Sequence, residues 1–331
     1  MSHRYDVYGV GHALVDVQYA VSPEFLARLG IDKGVMTLID QERQQALQAA
    51  LGQQPITSAS GGSAANTMIG VAGFGGSAYY TCQVGQDDWG AFYLRDLGKA
   101  GVCSNPANRI AGRTGQCTVF ITPDADRTLN TFLGVSSTIG PERLEEEVIA
   151  ASKYLYMEGY LLSSDSGYAV CRQAQDLARK HGTAVSLTLS DPFMVGSCKE
   201  RFVALVEKGV DLLFCNEEEA RAYTGHTDPE TACRALAAAV GTSCVTCGAE
   251  GAIFYAQDRR IQIPGVQIEA VDTTGAGDLF AGGVLFGITH GFSLEEAGKL
   301  GSHAAAQVVA QYGPRLQRSL REEIGAILAR S

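Results

Sequence analysis

The sequence predicts an α/β fold: a central, mostly parallel sheet with helices on both faces, plus a small β-sheet standing off it. Three observations carry that expectation. The middle of the chain alternates between strand-like and helix-like periods, the amino-terminal part and residues 115–122 read as β, and the part from Gly277 on reads as helix. Lys153–Leu162 (KYLYMEGYLL) reads as a strand. Ser166 to His181 reads as a helix with Val170, Ala174, Leu177 and Ala178 on one face and Gly182 as its stop. Strand Thr183–Leu189, helix Cys198–Glu207, strand Val210–Cys215, helices Glu217–Tyr223 and Glu230–Val240, and strand Ser243–Cys247 follow. Strands that return through helices imply parallel pairing, and ligands of such sheets lie beyond the carboxyl ends of the strands. Tyr5–Gly11 is an apolar strand, and the stretch to about Asp40 carries short β-like runs with little helix signal. Gly115–Thr122 is a second β stretch, backed by turn residues Pro123–Asp126. The segments at roughly 14–40 and 112–135 are expected to pair as the small sheet, within one domain spanning 1–331. Near the end, Ser293 caps a helix that opens on Leu294 and two acids.

Composition narrows the function classes. With 46% hydrophobic and 19% charged residues among 331, the chain reads as a globular enzyme. A net charge of −10 argues against a nucleic-acid groove, which needs clustered Lys and Arg. It leaves room for a single nucleotide held by backbone N–H groups. The start, MSHRYDVYGV, lacks the apolar run of a secretory signal, and no stretch reaches membrane-span length. Nine scattered cysteines, an odd number, fit reduced thiols and a cytoplasmic setting. The lone CxxC, Cys244 to Cys247, has no second ligand pair at finger-like spacing and reads as a buried strand ending at Gly248.

The chemistry concentrates in two glycine runs. In Asp272–Thr–Thr–Gly–Ala–Gly–Asp278, a β-rich stretch (Arg260–Val271) leads into an apolar helix, which sets Gly275, Ala276 and Gly277 at a helix N-terminus. Free N–H groups and the positive end of the macrodipole favour a transferring phosphoryl group there. Asp278 in the first turn can then take a proton from an attacking hydroxyl. The plainer reading is an Asp that complements the helix dipole. In the second run, Ser60–Gly61–Gly62–Ser63–Ala64–Ala65–Asn66 opens another helix. Gly61 and Gly62 let a ligand approach the main chain, and Asn66 offers a donor and an acceptor to hydroxyls; a plain turn into a helix is the alternative.

SGGSAAN followed by GFGG and VGQDDWG resembles the amino-terminal signature of the ribokinase-like (PfkB-type) carbohydrate and nucleoside kinases, and DTTGAGDLFAGGV resembles their carboxy-terminal signature. Asn216–Glu217–Glu218–Glu219 after DLLFC looks like their Asn-x-x-Glu element. The resemblance covers the whole chain and implies a ribokinase-like fold with the small sheet as a lid. It also implies ATP and Mg²⁺, leaves a monovalent cation open, and makes a small-molecule acceptor and ATP the partners of a monomer or homodimer. By resemblance Asp278 is the catalytic base and Gly275, Ala276 and Gly277 are the anion hole. Asn216 and Glu219 organise magnesium through its waters, and Thr246, Gly248, Thr274 and His303 attend ATP. His303 reads equally as a histidine packed between helices.

Within the family the sequence looks closest to adenosine kinases of bacterial type. Gly11–His12–Ala–Leu–Val–Asp16 sits where they carry a Gly-Asn-x-x-x-Asp run whose Asp holds ribose hydroxyls. Arg127, Leu129 and Leu133 resemble their lid segment, in which the leucines cover the base and the Arg offers charge to the phosphoryl group; Cys117 fits their apolar wall. Packing within the lid is the other reading of those leucines. Two departures stand out: His12 replaces the usual Asn, and Leu161 stands where animal enzymes stack a Phe. A sugar kinase of the same family and a non-catalytic sensing protein are the alternatives. Gly9–Val–Gly11 hints at a dinucleotide fold, but Leu14 breaks GxGxxG, and no Walker motif occurs.

Overall fold

In the computed structural model, which describes residues 3–329 except 53, 125, 257–258 and 317, nine strands form the main sheet. Ala125, inside the expected Pro123–Asp126 turn, lies outside the described residues. The strand order is Arg259–Pro264, Gly251–Ala256, Thr242–Thr246, Leu212–Asn216, Ala184–Thr188, Ser152–Glu158, Tyr5–Val10, Ala78–Thr81 and Val102–Cys103. All run parallel from Thr242–Thr246 onward, and the first two add an antiparallel hairpin at one edge. The chain leaves Tyr5–Val10 toward one edge and later restarts on its other side with Ser152–Glu158. That junction is the topological switch point, where such sheets open a crevice for ligands.

Strand alternation builds a core on each face. Tyr8, Val10, Leu155, Met157, Leu213 and Cys215 join the core beneath the helix Asp165–His181, whose Val170, Ala174, Leu177 and Ala178 are buried there as their spacing predicts. Val7, Tyr156, Leu212 and Phe214 face the other way, into a core shared with helices Ser63–Gly73 and Ala276–Thr289. Both faces are covered, which is why the strands are nearly continuous in apolar residues.

Several boundaries differ from expectation for local reasons. The strand expected over Lys153–Leu162 stops at Glu158, because the Gly159 N–H donates to Ser190 Oγ at 2.8 Å and the chain turns into the 3₁₀ segment Gly159–Ser163. The β-rich stretch before the run Asp272–Asp278 is a strand only to Pro264, and no regular structure follows until Ala276. The stretch to Asp40 contains a helix, Pro23–Arg28, started by the Ser22 cap and Pro23 and held by Leu26 against Leu47 and Phe120.

A second sheet orders Met36–Leu38, Arg127–Phe132, Gly115–Ile121, Leu14–Ala20 and Thr57–Gly61. The last strand comes from outside the two expected segments and leads directly into the helix Ser63–Gly73. No helix among the described residues is long and apolar enough to cross a membrane, and all nine cysteines are unpaired, with Cys244 and Cys247 buried. Leu187 is fully buried mid-sheet, so Leu187→Ala should destabilise the fold by about 2–5 kcal/mol, read as a lower urea midpoint. An unchanged midpoint would mean that this part of the sheet is not the core described.

Candidate active site

The carboxyl ends of neighbouring parallel strands converge on one cavity of about 560 Å³. His12 follows the first strand, while Glu158, Thr188, Asn216 and Thr246 lie at the ends of the next four across the sheet, and all five line it. The second sheet lines it with Leu14, Met36, Leu38, Cys117 and Leu129, joined by Leu133 just after the strand Arg127–Phe132. Thr274, Gly275, Ala276, Gly277 and Asp278 at the start of the helix Ala276–Thr289 also line it.

Gly275 is the N-cap of that helix at φ 79°, a conformation that disfavours side chains, and a Cβ there would lie 2.6 Å from the Pro314 carbonyl oxygen. The Ala276 N–H donates to Thr273 O at 3.2 Å. Gly275, Gly277 and Asp278 have no backbone partner for their N–H groups among the described residues, so these three amides can serve an anion. The Asp278 carboxylate accepts from Ser63 Oγ at 2.6 Å and from Asn66 Nδ2 at 3.0 Å. Burial nonetheless pushes its pKa up to about 6, with those two donors opposing and Glu158 adding to the rise. A carboxylate poised there is ionised at neutral pH and close to the range suited to a general base.

Asp16, in a strand of the second sheet, lines the cavity, and its carboxylate accepts no hydrogen bond among the described residues. Burial raises its pKa to about 7, opposed by the charges of Arg127 and Arg315. Asn66 directs its amide nitrogen to Asp278, and its buried Oδ1 has no partner among the described residues. His12 is anchored through its N–H to Glu158 Oε1 at 2.7 Å and through Nδ1 to Ser136 O at 3.1 Å. Burial lowers its pKa, opposed by the backbone of Ser136 and Tyr160, so the ring is neutral at pH 7. Glu158, fully buried, also accepts from Ala64 N at 2.8 Å, and burial lifts it to about 7.

Asn216 and Glu219 form a capping box at the start of the helix Glu217–Thr224. Both Glu219 oxygens accept from Asn216, at 3.1 Å from N and 2.7 Å from Nδ2, and burial raises its pKa to about 7. A carboxylate so engaged suits contact with a cation's water better than direct ligation. No group of three or more His, Cys, Asp or Glu able to hold a metal occurs among the described residues.

The cavity thus brings together Asp278, Gly275, Ala276, Gly277, Asp16, His12, Gly62, Asn66, Cys117, Leu129, Leu133, Asn216, Glu219, Thr246, Gly248 and Thr274. Four expected residues are elsewhere. Leu161 is buried in the main core, because the 3₁₀ turn gives the wall to Tyr160, whose hydroxyl donates to Ser190 O at 3.2 Å. Arg127 does not line the space: it is buried in an ion pair with Asp272, from where its charge still acts on Asp16. His303 is buried in the helix Leu294–Val309 with Nε2 3.4 Å from Glu323, the packed alternative. Gly61 ends its strand beneath Asp16 and does not line the space. Ser63, Glu158, Tyr160 and Phe193 also line the cavity, beyond the residues expected. Glu158 and Tyr160 were findable, since they follow a strand at the sheet's carboxyl edge.

A parallel sheet with a switch-point cavity, an anion-ready helix start and an adjacent carboxylate define a phosphotransfer class of site. The pfkB family carbohydrate kinase pattern matches residues 31–320, and the chain belongs to that family. It is a kinase with the ribokinase-like fold. An adenosine kinase from Saccharomyces cerevisiae is 29% identical over 326 residues, covering 92% of this chain and 95% of its own. The solved structure of a probable sugar kinase from Rhizobium etli superposes with a TM-score of 0.90 at 39% identity, covering 98% of this chain and 99% of its own. That of an adenosine kinase from Sinorhizobium meliloti gives 0.89 at 38%, with the same coverage.

Asp16 binds its proton more tightly folded than unfolded, so its ionisation opposes folding as pH climbs from about 4 to about 7. Asp16→Asn should therefore raise the thermal midpoint above pH 7, with the gain shrinking toward pH 4, in scanning fluorimetry across that range. A gain that does not vary with pH would contradict the assignment.

Proposed function

We propose that the chain transfers the γ-phosphoryl group of MgATP to the 5′-hydroxyl of adenosine, giving AMP and ADP. Asp278 carries this reading: a carboxylate beside free amides at a helix N-terminus, on the floor of a cavity whose far wall is apolar. The ribose lies along Asp16 and Asn66, and the base lies between Leu129, Leu133 and Cys117 of the second sheet and Tyr160. Asp278 takes the hydroxyl proton as the oxygen attacks phosphorus, the β–γ bridging bond breaks, and the amides of Gly275, Gly277 and Asp278 meet charge on the phosphoryl oxygens. Magnesium, carried with the phosphates and ordered through waters on Asn216 and Glu219, would neutralise their charge. The second sheet acts as a lid that excludes water. The free thiols fit a cytoplasmic enzyme.

A sugar kinase is the second reading, favoured by the likeness to the Rhizobium etli protein. The apolar wall weighs toward the nucleoside, because a free sugar has no apolar base to cover. ADP release measured with adenosine, ribose and fructose in turn separates the two, and turnover of a free sugar alone would overturn the first. Asp278→Asn should lower kcat on the order of 10²-fold or more while MgATP binding persists in calorimetry. Near-normal turnover in that variant would remove Asp278 from the role of base.

A further inference from the structure

We propose that Ser63 is a positioning residue for the base: its hydroxyl, with the Asn66 amide, clamps the Asp278 carboxylate against the start of the helix Ser63–Gly73 and keeps it ionised. The inference rests on the reading of Asp278 as base. A serine caps its own helix from the N-cap position, and Ser63, the first helical residue, does not hold that position. Here the helix Ser63–Gly73 has Gly62 as N-cap with no side-chain cap, and the Ser63 hydroxyl crosses to Asp278 Oδ1 at 2.6 Å. Asn66, one turn on, reaches the other oxygen at 3.0 Å. Since a carboxylate only accepts, both contacts must be donations from the helix, and each favours the ionised form.

The surroundings make that support necessary. Glu158 from the main sheet, Asp16 from the second sheet and Glu219 from the helix Glu217–Thr224 all act on Asp278 or feel its charge, as do the hydroxyls of Tyr156 and Tyr160. Every one of those groups is acidic. Among the described residues that line the cavity there is no Lys or Arg, so the two neutral donors are what counter burial at this carboxylate. Clamping both oxygens also limits rotation of the carboxylate, leaving a defined lone pair for the incoming proton.

The test compares wild type, Ser63→Ala and Ser63→Thr in two ways. The first is kcat/KM across pH 5–9 with whichever acceptor the protein turns over. The second is titration of the Asp278 carboxyl followed by its ¹³C shift, which needs no acceptor. Because activity requires the carboxylate, it falls as pH drops through the folded pKa. Loss of a donor to the charged form raises that pKa, so Ser63→Ala should move the acid limb and the ¹³C midpoint upward by about one pH unit or more. Ser63→Thr should restore both. A variant that merely packs badly lowers kcat at every pH without moving the limb. An unmoved ¹³C midpoint in folded Ser63→Ala overturns the clamp even if Asp278→Asn is inactive. Near-normal turnover of Asp278→Asn removes the base reading instead, so the two failures are distinguishable.

Discussion

The close crossing of the helices Ser63–Gly73 and Ala276–Thr289 sets the geometry on which the site depends. A Cβ on Gly282 would lie 2.8 Å from Thr67 O and 3.0 Å from Gly70 Cα, so the two backbones meet where neither can carry a larger residue. That approach brings the first turns of both helices to one point and lets Ser63 and Asn66 reach Asp278. One helix start arrives from a strand of the second sheet, and the other from a segment without regular structure. The crossing therefore couples the part of the molecule that would hold the acceptor to the part that would hold the phosphate. A small change of side chain at Gly70 or Gly282 would separate the base from its supports without touching either ligand.

Around this crossing the protein gathers carboxylates at the carboxyl edge of the sheet. Glu158, Asp16, Glu219 and Asp278 all have pKa values lifted by burial into the range of about 6 to 7. Raised carboxylates oppose folding as pH rises toward neutrality, so the site is a cost that the two hydrophobic cores offset. Two of the four are partly satisfied by structure: Glu158 ties the end of the first strand to the start of the helix Ser63–Gly73, and Glu219 closes a capping box. Asp16 has no such structural employment. Among the described residues its side chain accepts no hydrogen bond, and only the more distant charges of Arg127 and Arg315 oppose the cost of burying it.

Much of this was legible in the sequence, and the reasons are physical. The alternating core of the chain shows its strands and helices because both faces of the sheet are buried. The two glycine runs show because Gly62 and Gly275 hold positive φ and, with Gly61, pack closely against other parts of the chain. The Asn-x-x-Glu element shows because a capping box has a local spacing. What the sequence hides is set by contacts between distant segments. Thr57–Gly61 (TSASG) carries no β-branched alternation beyond its first residue and is a strand only because Leu14–Ala20 pairs with it. Leu161 and Tyr160 exchange places because Ser190 turns the chain at Gly159. Arg127 reads as a free cation until Asp272, far along the chain, is placed against it. Ser63 lay inside a quoted motif, yet its direction depends on the second helix.

The charge of the cavity constrains how a nucleotide could be received. Its lining holds Asp16, Glu158, Asp191, Glu219 and Asp278, and the described residues there include no Lys or Arg. The nearest strong cation, Arg127, is already paired with Asp272, and Arg315 is paired with Asp96. A triphosphate entering such a space meets repulsion unless its charge is balanced locally. The fixed positive features are the free amides at the start of the helix Ala276–Thr289 and the dipole behind them, which act within about one turn of the helix end. Further positive charge would then have to arrive with the nucleotide. That requirement follows from the acidic wall itself and agrees with a Glu219 whose oxygens are engaged, suited to the hydration shell of a cation rather than to its inner ligands.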